Sequence, residues 1–198
     1  MSWTIGHLRH RLKKGVRVTY YPRRMDQPLI PQVDIFCDAG FATTMNGRSL
    51  MGYVIMLNGS LVAYRSAITK CATTSTTSAE VFGMCFGVKE GISIWQMLAE
   101  IGIDVAPLKT GIDNSACTKY AHGATDKSLK HLNYRTRYVE DMVDGGIVEI
   151  IKVPTEVNLS DPLSKVMRVA KTQNFLSGML MDVGYLLPGY KNPRLDTM

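Results

Sequence analysis

No stretch of the chain is long and apolar enough to span a membrane, and the N-terminus lacks the apolar core of a secretory signal, so no membrane partner is expected. Cysteine is scarce: Cys37, Cys71, Cys85 and Cys117 are the four present. None forms a C-x-x-C pair and no His/Cys cluster has zinc-ligand spacing, which excludes a zinc module. Each lies in or beside an apolar stretch, the pattern of buried free thiols in a reducing compartment, so the expected location is intracellular, in cytoplasm or nucleus. Internal repeats and low-complexity tracts are also absent. Acidic residues are missing before Asp26, while Arg9, Arg11, Lys13, Lys14, Arg17, Arg23 and Arg24 crowd the same segment. That composition fits a mitochondrial presequence as well, but V-R-V-T-Y-Y within it reads as a strand, which is not favoured in a presequence.

What is present suits one domain with extensions. The chain has 198 residues, 45% hydrophobic and 20% charged, as in ordinary globular proteins, and is long enough for a core. The formal net charge of +6 is compatible with a nucleic-acid partner and equally with solubility alone.

The organisation follows from patterning. Residues 1–31 form a basic lead-in ending in a proline-bearing segment. Residues 33–38 alternate as a first strand. Residues 50–57 and 60–67 form two strands around Asn58-Gly59, a pair that tolerates positive φ and marks a tight turn. Ser75, Thr76, Thr77 and Ser78 are candidate N-caps for a long helix over 78–101, with Val81, Met84, Cys85, Val88, Ile92, Trp95, Leu98 and Ala99 at helical spacing and Gly102 as terminator. Gly83, Gly87 and Gly91 share one stripe of it. Each costs roughly 1 kcal/mol of helix propensity relative to Ala, which predicts close packing against the sheet or a neighbouring helix. A strand over 107–113, a short helix over 115–120, a long helix over 127–144, a strand over 147–153 and a helix over 159–166 complete the domain, with a possible tail helix over 174–181. The order predicts an α/β fold, a mixed sheet with helices packed on it.

Four carboxylates hold informative positions: Asp38 at the end of the first strand, Glu80 in the first turn of the long helix, Asp113 closing the fourth strand and Asp161 opening the last helix. Strand ends and helix starts are where side chains from separate elements converge. Clustered carboxylates repel one another, and hard divalent cations with oxygen ligands relieve that repulsion. Two such ions about 3.5–4 Å apart can activate a water and stabilise a leaving oxygen in phosphodiester cleavage. Singly, each residue is as well explained as a cap or turn residue; the argument rests on the four together.

The successive segments V-D-I-F-C-D-A-G-F-A, G-R-S-L-M-G-Y-V-I-M-L-N-G, S-T-T-S-A-E-V-F, I-D-N-S-A, L-K-H-L-N-Y-R-T-R-Y-V-E-D and V-P-T-E-V-N-L-S-D-P-L-S-K resemble, in order, the signatures of the ribonuclease H domain of copia-type retrotransposon Pol polyproteins. The resemblance covers roughly residues 32–167, and L-R-H-R-L-K-K-G-V-R-V-T-Y-Y resembles the end of the preceding reverse-transcriptase connection. It implies a ribonuclease H-like fold with a five-stranded sheet, a domain over 32–167 and an extension over 168–198. It also implies hydrolysis of the RNA strand of an RNA–DNA hybrid with two Mg²⁺ or Mn²⁺ ions, held by Asp38, Glu80, Asp113 and Asp161. The sequence departs from the family at Val81, where an aromatic is usual, and in the glycines of the long helix.

Lys127, Lys130, His131, Arg135 and Arg137 fall on the second long helix, away from its apolar stripe. They are either a solvated basic face or a surface for substrate phosphates. Arg48 and Asn114 are further substrate contacts expected from the same resemblance. A reading of a different class is a captured retroelement fragment acting as a non-catalytic nucleic-acid-binding or scaffold subunit of a ribonucleoprotein assembly, or alongside a reverse transcriptase. A third is another nuclease of the same superfold acting on DNA or structured RNA.

Overall fold

Strand β1, Val33–Gly40, is buried at all eight positions, as a strand covered on both faces must be. The computed structural model describes residues 30–124 and 132–165. Val33, Ile35, Cys37 and Ala39 face one apolar cluster and Phe36 the other, the period-2 sorting that a pleated strand imposes. Strand β2, Leu50–Leu57, pairs antiparallel with β1, and β3, Ser60–Ile68, pairs antiparallel with β2. The turn between them is Asn58-Gly59, with φ of 49° and 76°, which fixes the hairpin register at Leu57↔Ser60. β4, Leu108–Ile112, lies parallel to β1, and β5, Val148–Lys152, parallel to β4. The sheet order is β3-β2-β1-β4-β5, the mixed five-stranded sheet expected.

Helix α1, Thr76–Glu100, covers the first face. Ser75 is its cap, accepting from the Ser78 backbone N–H at 3.1 Å. Val81, Met84, Cys85, Val88 and Ile92 pack against the Val33, Ile35 and Cys37 side of β1. The glycine stripe explains the closeness of that contact. A Cβ at Gly83 would stand 2.9 Å from the carbonyl oxygen of Asp38, and side chains at Gly87 and Gly91 would collide with Cys37 and Ile35. Helix α2, Ser115–Ala121, and helix α3, Asn133–Asp144, pack beside it.

The second face carries a 3₁₀ turn at Thr155–Val157 and helix α4, Asp161–Ser164. The helix expected over 159–166 is only these four residues within the described range. Asn158, fully buried, uses its side chain to hold the preceding loop, donating to the Cys37 carbonyl (2.9 Å) and accepting from the Ser160 hydroxyl (2.7 Å), so residues 158–160 are not helical. Thr76 and Thr77 join α1, so Glu80 stands two residues further into the helix than expected. Cys71 is exposed; the other three cysteines are buried. Among the described residues no helix is long and apolar enough to cross a membrane. The readings for 1–29, 125–131 and 166–198, including the basic lead-in, Lys127, Lys130, His131 and the tail helix, lie outside the described residues.

Candidate active site

The parallel pairing of β1 with β4 brings their C-terminal ends to the same edge of the sheet. Asp38 in β1 and Asp113, immediately after β4, meet there. α4 supplies Asp161 from the second face. A helix of four residues has little intrinsic stability, so its place is set by packing. Gly52, paired with Asp38, admits Leu163, whose Cβ a side chain at 52 would approach to 2.7 Å, and a side chain at Gly40 would strike the Ser164 carbonyl. The Ser66 hydroxyl of β3 donates to the Leu163 carbonyl at 2.6 Å.

One carboxylate oxygen from each of Asp38, Asp113 and Asp161 lies within 4.8 Å of the others. Asp38 is 0% exposed and Asp161 2%, while Asp113 is half-buried. Asp113 Oδ2 accepts from the Thr155 hydroxyl at 2.9 Å, and its Oδ1 is buried with no hydrogen-bond partner among the described residues. A buried oxygen acceptor without a donor, facing two further carboxylates, suits a hard cation better than any arrangement of neutral groups. The residues therefore fit a divalent metal.

Glu80 lies outside that tight group but in its field. Burial, and then the charges of Asp38 and Asp113, push its carboxyl up to about 9, against the pull of Lys165 and the Ala39 backbone N–H. Burial also raises Asp38, opposed by the Lys165 ammonium and the Ser164 hydroxyl, with Asp113 adding to the rise. A site that disfavours its own negative charge to this degree is one that gains from a cation.

Two residues that the sequence reading gave no role complete the cluster. Ser164 donates its hydroxyl to Asp38. Lys165 Nζ reaches both Asp38 oxygens, at 3.2 and 3.1 Å, and Asp161 Oδ1 at 2.8 Å. Burial works against its charge, but the hydrogen bond to Asp161 and the charge of Asp38 outweigh it and hold the ammonium protonated. The i,i+4 spacing of Asp161 and Lys165 was the local signal; the bond to Asp38 spans 127 residues and left none.

The expected substrate contacts are dispersed. Arg48 is exposed in the turn before β2. Asn114 caps α2, accepting from the Ala116 and Cys117 N–H groups at 2.8 and 3.2 Å. Arg135 is not on a free face: its guanidinium lies 4.2 Å from the centroid of Phe82 and 5.1 Å from that of Tyr134. Arg137 pairs with Glu140 at 3.6 Å on an exposed surface.

No family model matches the chain. Over 138 residues, 66% of its length, it is 30% identical to the retrovirus-related Pol polyprotein from transposon TNT 1-94 of Nicotiana tabacum. It is 27% identical over 143 residues, 71% of its length, to the Pol polyprotein from transposon RE2 of Arabidopsis thaliana. The chain spans about a tenth of the length of these curated relatives. Among solved structures it resembles ribonuclease H1 from Halobacterium salinarum (TM-score 0.50, 18% identity, covering 67% of this chain and 94% of that one). It also resembles part of the foamy viral protease–reverse transcriptase in complex with an RNA/DNA hybrid (TM-score 0.51, 16% identity, 74% of this chain and 21% of that one).

Proposed function

For a chain that is homologous to a segment of retrotransposon Pol polyproteins and has the ribonuclease H fold, we propose a metal-dependent endonuclease that hydrolyses the RNA strand of RNA–DNA hybrids. The observation that carries this reading is the convergence of Asp38, Asp113 and Asp161, with a buried Asp113 oxygen that has no hydrogen-bond partner among the described residues. Similarity to a segment of retrovirus-related Pol polyproteins and the net charge of +6 support a polyanionic nucleic-acid substrate.

In this reading Asp38, Asp113 and Asp161 hold Mg²⁺ or Mn²⁺, and Glu80, beside them, completes the shell. A pair of such ions, when bound, supplies an activated water and stabilisation of the leaving oxygen. The protein's own part is positional. Asn158, Ser66 and the glycines at 40 and 52 hold α4 against the sheet, so that Asp161 stays opposite Asp38. Thr155 orients Asp113 by binding one oxygen and leaving the other free to act as a ligand. Arg48, Asn114 and the basic residues Lys130, His131 and Arg135 are the contacts to the duplex backbone. The hybrid is distinguished from double-stranded DNA by its shape and 2′-hydroxyls.

The test is cleavage of an end-labelled hybrid with Mg²⁺ or Mn²⁺, run beside EDTA, double-stranded DNA and Asp113→Asn. Metal-dependent cutting of the RNA strand alone is expected, falling by about 10²–10³-fold or more in a variant that remains folded. Intact cleavage by Asp113→Asn sinks the site. No cleavage by folded wild-type protein favours the non-catalytic scaffold instead.

A further inference from the structure

Lys165 holds two of the three clustered carboxylates at once, at 2.8 to 3.2 Å from their oxygens. The carboxylate side chains are 0% and 2% exposed, so neither has anywhere to go, whereas the lysine side chain is 38% exposed and lies at the rim. Its backbone is fixed independently, as the C-cap of α4, with its N–H on the Asp161 carbonyl at 3.1 Å. The main chain is thus held while the four-carbon stem is free to carry the ammonium outward.

A single positive charge and a divalent ion drawn to the same carboxylates repel one another at short range. We propose that Lys165 is a built-in cation, which neutralises Asp38 and Asp161 in the metal-free protein and must withdraw before a divalent ion is held there. It thereby stabilises the empty site and weakens metal binding. This rests on the reading of the carboxylates as metal ligands. The opposite role, a lysine that orients Asp38 and Asp161 for the ion, predicts the opposite sign.

The measurement is Mn²⁺ affinity by calorimetry, with thermal unfolding in EDTA and in saturating Mn²⁺, on wild type, Lys165→Met and Asp113→Asn. Lys165→Met should bind Mn²⁺ roughly five- to tenfold more tightly. It should melt lower than wild type in EDTA and recover the difference in Mn²⁺. Asp113→Asn should lose binding. Equal affinity in wild type and Lys165→Met, or weaker binding by the variant, overturns the lysine's role and leaves the metal site standing. Binding by neither overturns both. Where Lys165→Met does not fold, the Lys165 ammonium resonance of wild type decides. Its slowed exchange with water should be lost when diamagnetic Mg²⁺ is added, and a signal that persists at saturating Mg²⁺ overturns the proposal.

Discussion

Asp34 and Asp38 stand four residues apart on the same face of β1, and both are 0% exposed. Around Asp38 gather Lys165, Ser164, Asp113 and Asp161. Among the described residues neither oxygen of Asp34 has a hydrogen-bond partner, and its register neighbour on β4 is Lys109. Both carboxyls are raised by burial, Asp34 to about 7 against the pull of Lys109. Burial and a shifted pKa are thus common to the two. What separates them is which end of the strand they occupy. The C-terminal ends of the parallel pair β1 and β4 bring a second carboxylate alongside, and α4 adds a third; the other end brings a lysine. Convergence of elements, not desolvation, marks the site.

The sharpest way to break this comparison is to remove one charge at a time. Asp38→Asn should lower hybrid cleavage by about 10²–10³-fold or more, while Asp34→Asn should leave cleavage within a small factor of wild type. Steady-state rates on the labelled hybrid, at matched folded fractions, measure both. Equal losses in the two variants would mean that Asp34 also serves the chemistry and that convergence is the wrong criterion.

The next effect is in stability. In the unfolded chain Asp34 ionises near the ordinary value of 3.8; in the folded protein it does so at about 7. Between those values the folded state keeps a proton that the unfolded state has released. Stability therefore falls as pH rises through that window, by about 1.4 kcal/mol per unit while the difference lasts. Asp34→Asn removes this dependence. Wild type should lose melting temperature between about pH 4 and about pH 7 more steeply than the variant does. Glu80 and Asp38 act in the same direction but are common to both proteins, so the difference isolates Asp34. Parallel melting curves across that range would show that Asp34 stays ionised.

The elements most legible from sequence were those with local causes. Asn58-Gly59 announced the hairpin because its positive φ values are a property of two adjacent residues, and α1 announced itself through about five turns of apolar periodicity from Val81 to Ala99. The four carboxylates could be named from their places in the order of elements. Their grouping, with Asp38, Asp113 and Asp161 close and Glu80 just outside, depends on helix entry and strand register. Lys165 escaped because its meaning lies in Asp38, far away in the chain. The length of α4 escaped because the Asn158 side chain donates to the Cys37 carbonyl of β1 and accepts from Ser160, holding residues 158–160 out of the helix. The contact of the Arg135 guanidinium with the ring of Phe82, from another helix, left no signal in the spacing that placed Arg135 on its helix.

The finest comparison uses the glycine stripe, which touches β1 along its length. Gly83 backs the carbonyl of Asp38 itself, whereas Gly91 backs the side chain of Ile35, beside Asp34. Alanine gains up to about 1 kcal/mol of helix propensity at either position. Against that stands overpacking of typically 1–3 kcal/mol, so both variants should be modestly destabilised or near neutral. Their effects on cleavage should differ. At Gly91 the added methyl meets the Ile35 side chain and no backbone of β1, so the strain stays in the core. At Gly83 it meets backbone, which yields only by moving the strand that carries Asp38. Placement errors well under an ångström matter at a reacting centre. Gly83→Ala should therefore lose more cleavage activity than Gly91→Ala at equal loss of melting temperature. Activity that merely tracks stability in both would mean that β1 absorbs the methyl without shifting Asp38.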